Sequence, residues 1–521
     1  MFELSYSKLK KYCYAYISLP VLTFAIGYLR WYWMLIAVAA IAITFFFSQK
    51  EANVDRCRTN TVCINKKTMA FVFLIALIYT HLCGLNGFWY QTGDWVARNP
   101  IYHDIITYKW PIYYADKNSA LAYYIGFWLV PAVPAKIVTA IFGANIGWIA
   151  GKIFLWLWGS IGIYLIFLML FVFCKCESAK RKILAVVAFI FFSGLDVVGV
   201  WYTQTRGYLL QPDVLHLEWW HTYYQYSSLT TCVCWVFNQS IIPWVCTFLV
   251  LFEKDCKNYL LIGVSCLLCG PIPFVGLVII MFAREIDAII LAKKEEVKWK
   301  KIFSSIFSLP NMIIICTVLP IIGCYMLTNN ATGGGMYGDT ADSPAITATS
   351  FYMLHQISSF LRTYIQHGIF GFYMLEVGIY LLLIWSFHKK EVIFYAVAIS
   401  LFFIPAIHIG VSNDFCMRAS IPGVFVTMVW CNEQISKLVK TRLKKGLNLR
   451  MTALLLALMI GAFTPSVELF RGFYHVVKEK TIFLENMPNE TLDVVDGVSY
   501  NFETSNASEQ LFFKYFAKKL K

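Results

Sequence analysis

Residues 147–173 read Gly147-Trp148-Ile149-Ala150-Gly151-Lys152-Ile153-Phe154-Leu155-Trp156-Leu157-Trp158-Gly159-Ser160-Ile161-Gly162-Ile163-Tyr164-Leu165-Ile166-Phe167-Leu168-Met169-Leu170-Phe171-Val172-Phe173, with Lys152 the single charge. A helix crossing about 30 Å of hydrocarbon at about 1.5 Å per residue needs about 20 mainly apolar residues, and this stretch supplies them. Comparable windows lie at 12–29, 31–48, 69–86, 183–201, 229–252, 306–327, 368–386, 392–409, 419–436 and 451–464. The whole chain agrees. Of 521 residues, 59% are apolar and 14% charged, with mean hydropathy +0.61, against about 45–50% and about 25% in a soluble domain. Disorder and a secreted disulfide scaffold are excluded. The expected fold class is all-α: a polytopic transmembrane helical protein embedded in a lipid bilayer.

Two segments need separate reading. Tyr259 to Phe282 holds Cys269-Gly270-Pro271-Ile272-Pro273 at its centre. Two prolines so close break one helix, so a hairpin of two short helices is expected. Leu121 to Phe142, with Pro131, Pro134 and Lys136, reads as a bent interfacial or re-entrant piece. That counting gives about 13 spans with the N-terminus cytoplasmic and the C-terminus outside. Short cytoplasmic loops collect Lys and Arg. Under this topology they hold 28 of the 44, in 1–11, 49–68, 174–182, 253–258, 284–305, 387–391 and 435–450. The net charge of +14 is therefore a matter of membrane sidedness, and no nucleic-acid partner is implied.

The polar stretches left outside are Asn86 to Ala120, Tyr202 to Ser228, Thr328 to Gly368 and Ser412 to Arg418. The run Gly333-Gly334-Gly335 reads as a surface loop or a mobile cover over a site. The first stretch contains Gly93-Asp94-Trp95-Val96-Ala97-Arg98-Asn99-Pro100-Ile101-Tyr102-His103-Asp104, then Tyr108-Lys109-Trp110. Asp94 has two readings: a base or substrate ligand at headgroup depth, and the N-cap of a helix beginning at Trp95. The second contains Asp213, His216, Glu218, Trp219, Trp220 and His221, then Tyr223-Tyr224-Gln225-Tyr226. On a helix His216 shares a face with Trp219 or Trp220, a strip suited to a sugar or headgroup. The fourth is Ser412-Asn413-Asp414-Phe415-Cys416-Met417-Arg418. The planar fork of Arg418 matches phosphate oxygens; a salt bridge to Asp414 is the plainer reading.

Within the spans, Asn238, Gln239 and Asp196 are costly polar groups. Interhelical hydrogen bonding is the expectation for the first two, and a helix break for Asp196. Most of the 16 Cys lie in apolar stretches as small hydrophobes. No zinc spacing appears and no cofactor is expected, a divalent ion on the second-stretch acids and His being the remote alternative.

In layout the chain resembles the GT-C glycosyltransferases, the protein O-mannosyltransferases and lipid A aminoarabinose transferases most of all. Three features carry the likeness: Asp94 in a long first outer loop, the aromatic, Pro-containing stretch Leu121 to Gly143, and the short hairpin from Leu261-Ile262-Gly263 to Gly270-Pro271-Ile272-Pro273. Departures are the missing Asp-Glu pair in the first loop, the missing Thr-Lys-Gly in the hairpin, and two extra N-terminal spans. The resemblance implies transfer of a sugar from a polyprenyl-phosphate-linked donor to a glycan, lipid or protein acceptor outside the cytoplasm, in the cell membrane. It implies that Asp94 acts as the base. The expected phosphate ligands are Arg418 and Arg98. The expected substrate contacts are Asp104, Lys109, His216, Glu218, Trp219, Asn413 and Asp414, with Asp104 a rival for the working acid.

Four parts follow: 1–68, a transmembrane hairpin with a basic loop; 69–283, a GT-C-like catalytic core with its outer loops; 284–464, the C-terminal spans; and 465–521, an outer-face tail. Two other functions stay open. A polysaccharide polymerase or ligase would use Arg362, His355 and His367. A lipid-linked oligosaccharide flippase or transporter would need a buried polar pathway.

Overall fold

The computed structural model describes residues 2–50, 61–203, 216–253, 255–294, 299–330, 334–336, 362, 364–409, 413–441, 449–479, 492 and 499–520. Asp213 and His355 lie outside these. The described chain is overwhelmingly helical, with short strands at its edges. By length and composition five helices can cross a membrane: Trp31–Gln49, Ala144–Phe173, Leu229–Phe252, Ile369–His388 and Leu449–Lys478. The pair Leu309–Cys316 and Val318–Met326, bent by 42°, makes a sixth if taken as one span.

Leu229–Phe252 forms the centre. All its side chains are buried except the half-buried Trp235, because helices from both halves of the chain pack around it, among them Tyr6–Tyr28, Ala144–Phe173 and Ile421–Thr441. Its helical geometry breaks at Val236 (φ −134°, ψ 37°). There the Cys234 carbonyl accepts from Thr92 Oγ1 (3.3 Å) and Trp95 Nε1 (3.2 Å), and the Cys232 carbonyl accepts from Ser240 Oγ (3.3 Å). Side chains that insert into the backbone ladder are a known cause of kinks. This one ties the start of the first-loop helix, Trp95–Thr107, to the middle of the molecule.

The 259–282 region is two helices, Tyr259–Cys269 and Pro271–Lys294, meeting at Gly270. The Pro-containing segment is a continuous helix, Gly126–Phe142, that turns at Gly143 (φ 87°) and packs along Ala144–Phe173. Other boundaries differ from the sequence reading. The 183–201 window divides into Ala179–Ile190 and Asp196–Tyr202, because the buried Asp196 carboxylate takes hydroxyl donors from Ser193 (2.8 Å) and Thr464 (2.7 Å). Gly194, in that break, lies so close to Glu376 that a Cβ has no room. The 306–327 window breaks at Thr317. The glycine run, expected as a loop, contributes a strand, Gly334–Met336, antiparallel to Ile407–Ile409. Residues 465–479, expected as tail, continue as the helix Phe463–Glu479 with Glu468 and Arg471 buried.

The connecting segments contact one another in two separate sets. In the first, Phe2–Ser5 pairs antiparallel with Thr61–Ile64, Lys182 donates to the Cys63 carbonyl (3.1 Å), and Lys10 pairs with Glu253 (2.9 Å). In that set Asp287 also accepts from the backbone N–H groups of Val392 and Ile393. In the second, Tyr113–Tyr114, Ser119–Leu121 and Glu503–Thr504 form a three-stranded sheet, Asn329 donates to the Asn501 carbonyl (3.0 Å), and Arg30 donates to the Ala517 carbonyl (2.8 Å). The basic loops named above supply the first set, and the polar stretches with the C-terminal tail supply the second.

Candidate functional site

Three polar stretches from the second set enclose a cavity of about 560 Å3, lined by Asp94, residues 216–227 in part, the Val236 kink and residues 413–418. Of the ten candidate residues, seven line it: Asp94, His216, Glu218, Trp219, Asn413, Asp414 and Arg418.

The first wall carries charge. Asp94 stands at the N-terminus of Trp95–Thr107, but its side chain makes no capping bond. It pairs one helical turn on with Arg98 (Oδ2 to Nη2, 2.7 Å), the acid 42% exposed and the arginine 5%. The acid-first i,i+4 order suits the helix dipole. Arg98 lies over the Phe237 ring at 5.9 Å and its Nη1 is buried without a partner. The same arrangement recurs on the short helix Asp414–Ala419, where Arg418 Nη1 meets Asp414 Oδ2 at 2.8 Å and Nε is buried without a partner. Burial works against the Arg418 charge, but Tyr124, Asp414, Tyr123 and Asp94 around it outweigh that and raise its pKa above the ordinary arginine value. Asp94 and Arg418, 324 positions apart in the sequence by their numbering, thus line one cavity.

The second wall is aromatic and hydrogen-bonding. Leu217–Trp220 is a short 3-10 turn. The His216 ring lies 4.1 Å from that of Trp219 and 5.0 Å from that of Trp235. Glu218 is buried, accepting from the Ser228 backbone N–H (2.8 Å) and from Gln225 Nε2 (3.3 Å). Burial, with Asp196 and Glu468 nearby, pushes its pKa up to about 8. Burial, reinforced by Arg471, pulls His216 down to about 3, and burial pulls His221 down to about 4. Glu468 Oε1 approaches His216 Nδ1 at 3.8 Å, too long for a hydrogen bond; with the imidazole neutral this contact is not an ion pair. The other Glu468 oxygen accepts from Trp235 Nε1 (3.1 Å) and Arg471 Nη1 (2.9 Å).

Three candidates fall elsewhere. Arg98 stands behind Asp94 and reaches the cavity through it. Asp104 is fully buried: Oδ2 accepts from Tyr114 OH (2.7 Å) and the Leu492 N–H (3.0 Å), and Oδ1 contacts His103 Nδ1 (3.2 Å). It does not line this cavity. Lys109 is exposed and does not line the cavity, because it follows the C-terminus of the helix that Asp94 begins.

Sequence reasoning passed over Thr231, Trp235, Glu468 and Arg471. The last two, three apart on a helix and of opposite charge, carried a readable signal that the apolar-window boundary at 464 hid. Of the intramembrane amides, Gln239 Nε2 donates to Tyr124 OH (3.1 Å), while both polar atoms of Asn238 are buried without partners. His367 stacks on Tyr223 (3.8 Å, 7°) and its carbonyl contacts His221 Nε2 (2.9 Å); Arg362 is exposed. Among the described residues no three His, Cys, Asp or Glu side chains converge as metal ligands. No protein-family model, curated protein or solved structure matches the chain.

Proposed function

We propose that the chain is a membrane glycosyltransferase of GT-C-like layout, with about 13 crossings. It moves a sugar from a polyprenyl-phosphate-linked donor to an acceptor at the outer face of the cell membrane. The observation that carries this reading is the shared cavity of Asp94 and Arg418, an acid and a fixed cation from loops far apart in sequence. The Asp94 carboxylate takes the acceptor hydroxyl proton as the new bond to the anomeric carbon forms. The bond from that carbon to the phosphate oxygen breaks, and polyprenyl phosphate leaves as an anion toward Arg418, with Arg98 in support. A cation held where negative charge develops needs no reorganisation during the reaction. Arg418 lines the cavity, and Arg98 acts from behind Asp94, to which it is paired at 2.7 Å.

Sidedness rests on charge. The loops that contact one another in the first set are the Lys- and Arg-rich ones, which the positive-inside rule assigns to the cytosol; the cavity then opens outside.

The test is transfer of sugar from a labelled polyprenyl-phosphate donor in membranes carrying the wild-type chain or Asp94→Asn. Loss of product in a variant expressed at wild-type level supports the reading. Retained product removes Asp94 as base, and labelling of Val96→Cys, at an exposed position beside Trp95, only from the cytosol removes the whole arrangement.

A further inference from the structure

The two walls differ in what they can bind. Around Arg418 the acting charges are Asp414 and Asp94 with two tyrosines, and each arginine is already matched by a carboxylate at 2.7 or 2.8 Å. Across the cavity, the wall formed by residues 216–235 presents no formal charge at neutral pH. His216 and His221 are deprotonated, Glu218 holds its proton, and the remaining polar lining groups there are hydroxyls and an amide. Behind it, Glu468 and Arg471 neutralise each other at 2.9 Å.

Trp219 stands out on this wall. Its side chain is large and apolar yet 57% exposed, with the His216 ring lying against one face (centroids 4.1 Å apart, 31° between planes), and it lines a cavity rimmed by hydrogen-bonding groups. A lipid-facing tryptophan has no such rim. The Gln225 amide nitrogen is committed to Glu218 (3.3 Å) and Ser227 Oγ (3.2 Å), which leaves its side-chain oxygen as the acceptor. Thr222, exposed, adds a hydroxyl that both donates and accepts, whereas the Thr231 hydroxyl is taken up by Ser228 Oγ (2.8 Å). A pyranose has this pattern in negative: an apolar face of C–H bonds and a ring of in-plane hydroxyls, each costly to bury unpaired. Aromatic side chains with a polar surround suit such an amphipathic ligand.

We infer that the wall of residues 216–235 is a subsite for a neutral oligosaccharide, one pyranose lying on Trp219 and its hydroxyls meeting Gln225 and Thr222. That this saccharide is the acceptor, which makes the acceptor a glycan rather than a protein or a lipid, rests on the transferase reading above; the binding itself does not. The division then separates a charged half for the anionic donor from an uncharged half for the glycan.

The experiment titrates the full chain in nanodiscs with mannotriose, maltotriose and chitotriose as neutral probes and trigalacturonate as a charged one, by saturation-transfer NMR and calorimetry. Expected is saturable binding of at least one neutral trisaccharide, weakened about tenfold or more by Trp219→Ala and by less than threefold by Trp219→Phe. Trp201→Ala, an exposed tryptophan outside the cavity, leaves it unchanged. Gln225→Ala, which keeps the aromatic platform, should weaken binding severalfold. In Asp94→Asn, saturable binding of a neutral trisaccharide together with retained transfer sinks the base and spares the subsite. The inference is overturned if none of the neutral trisaccharides binds, if trigalacturonate binds more tightly than all of them, or if Trp219→Ala binds as wild type does.

Discussion

Asp94 and Asp104 stand at opposite ends of one helix, Trp95–Thr107, and have opposite fates. Asp104 is enclosed, its oxygens satisfied by a tyrosine, a histidine and a backbone N–H from the C-terminal region. Asp94 has one arginine partner, substantial exposure and a cavity in front of it. In the polar stretch from Asn86 to Ala120 both are carboxylates among aromatics. The difference teaches that the surroundings and not the residue type separate a structural acid from one available for chemistry: a buried carboxylate must collect donors, and once it has them it has nothing left for a substrate.

The largest expected effect that tests this contrast is on rate. Asp94→Asn should lower transfer about 100- to 10,000-fold, the usual worth of a positioned base, at unchanged expression. Transfer within threefold of wild type would place the chemistry elsewhere. Arg418→Gln should cost about 100- to 1,000-fold if it meets the leaving phosphate, read as single-turnover transfer with saturating donor. Asp104→Ala should act on stability, leaving Tyr114 OH and the Leu492 N–H unsatisfied at about 1–3 kcal/mol each. Its signature is a lower Tm in detergent with transfer per folded molecule close to wild type, and a normal Tm would break the comparison.

The fourth prediction concerns pH. Glu218 titrates near 8 in the folded protein against 4.5 for an ordinary glutamate. Between those values the folded state keeps a proton that the unfolded chain gives up, so this group's contribution to stability is full below about pH 4.5 and declines as pH rises to about 8. Glu218→Gln should remove that decline, seen as a Tm gain over wild type that grows across the window; a difference flat in pH refutes the assignment. His216, at about 3 against 6.5, acts with the opposite sign: its contribution is full above about pH 6.5 and lost as pH falls toward 3. The smallest effect belongs to Lys109→Ala, exposed and outside the cavity, which should stay within about 0.5 kcal/mol in stability and within twofold in transfer.

How much was legible depended on the range of the signal. Helix-forming windows, the Gly270 break and the sorting of Lys and Arg into particular loops are local properties of composition, and the helices and the two sets of contacting loops follow them closely. Boundaries failed where a buried polar group imposed its own terms. Asp196 interrupts its helix to gather Ser193 and Thr464, and Glu468 with Arg471 draws supposed tail into the helical body. The acid-first spacings of Asp94 with Arg98 and Asp414 with Arg418 were visible as sequence; that the two pairs face one void was not.

By itself the sequence determined that this is a helical, apolar, membrane-type chain whose chemistry-bearing side chains lie in a few polar stretches, because hydrophobic periodicity and charge are written residue by residue. Only the tertiary structure decided which acids of those stretches face a cavity, which are consumed as internal acceptors, and that Glu218 and His216 present a wall without charge. Those outcomes depend on desolvation by residues tens to hundreds of positions away, and no local pattern carries that information.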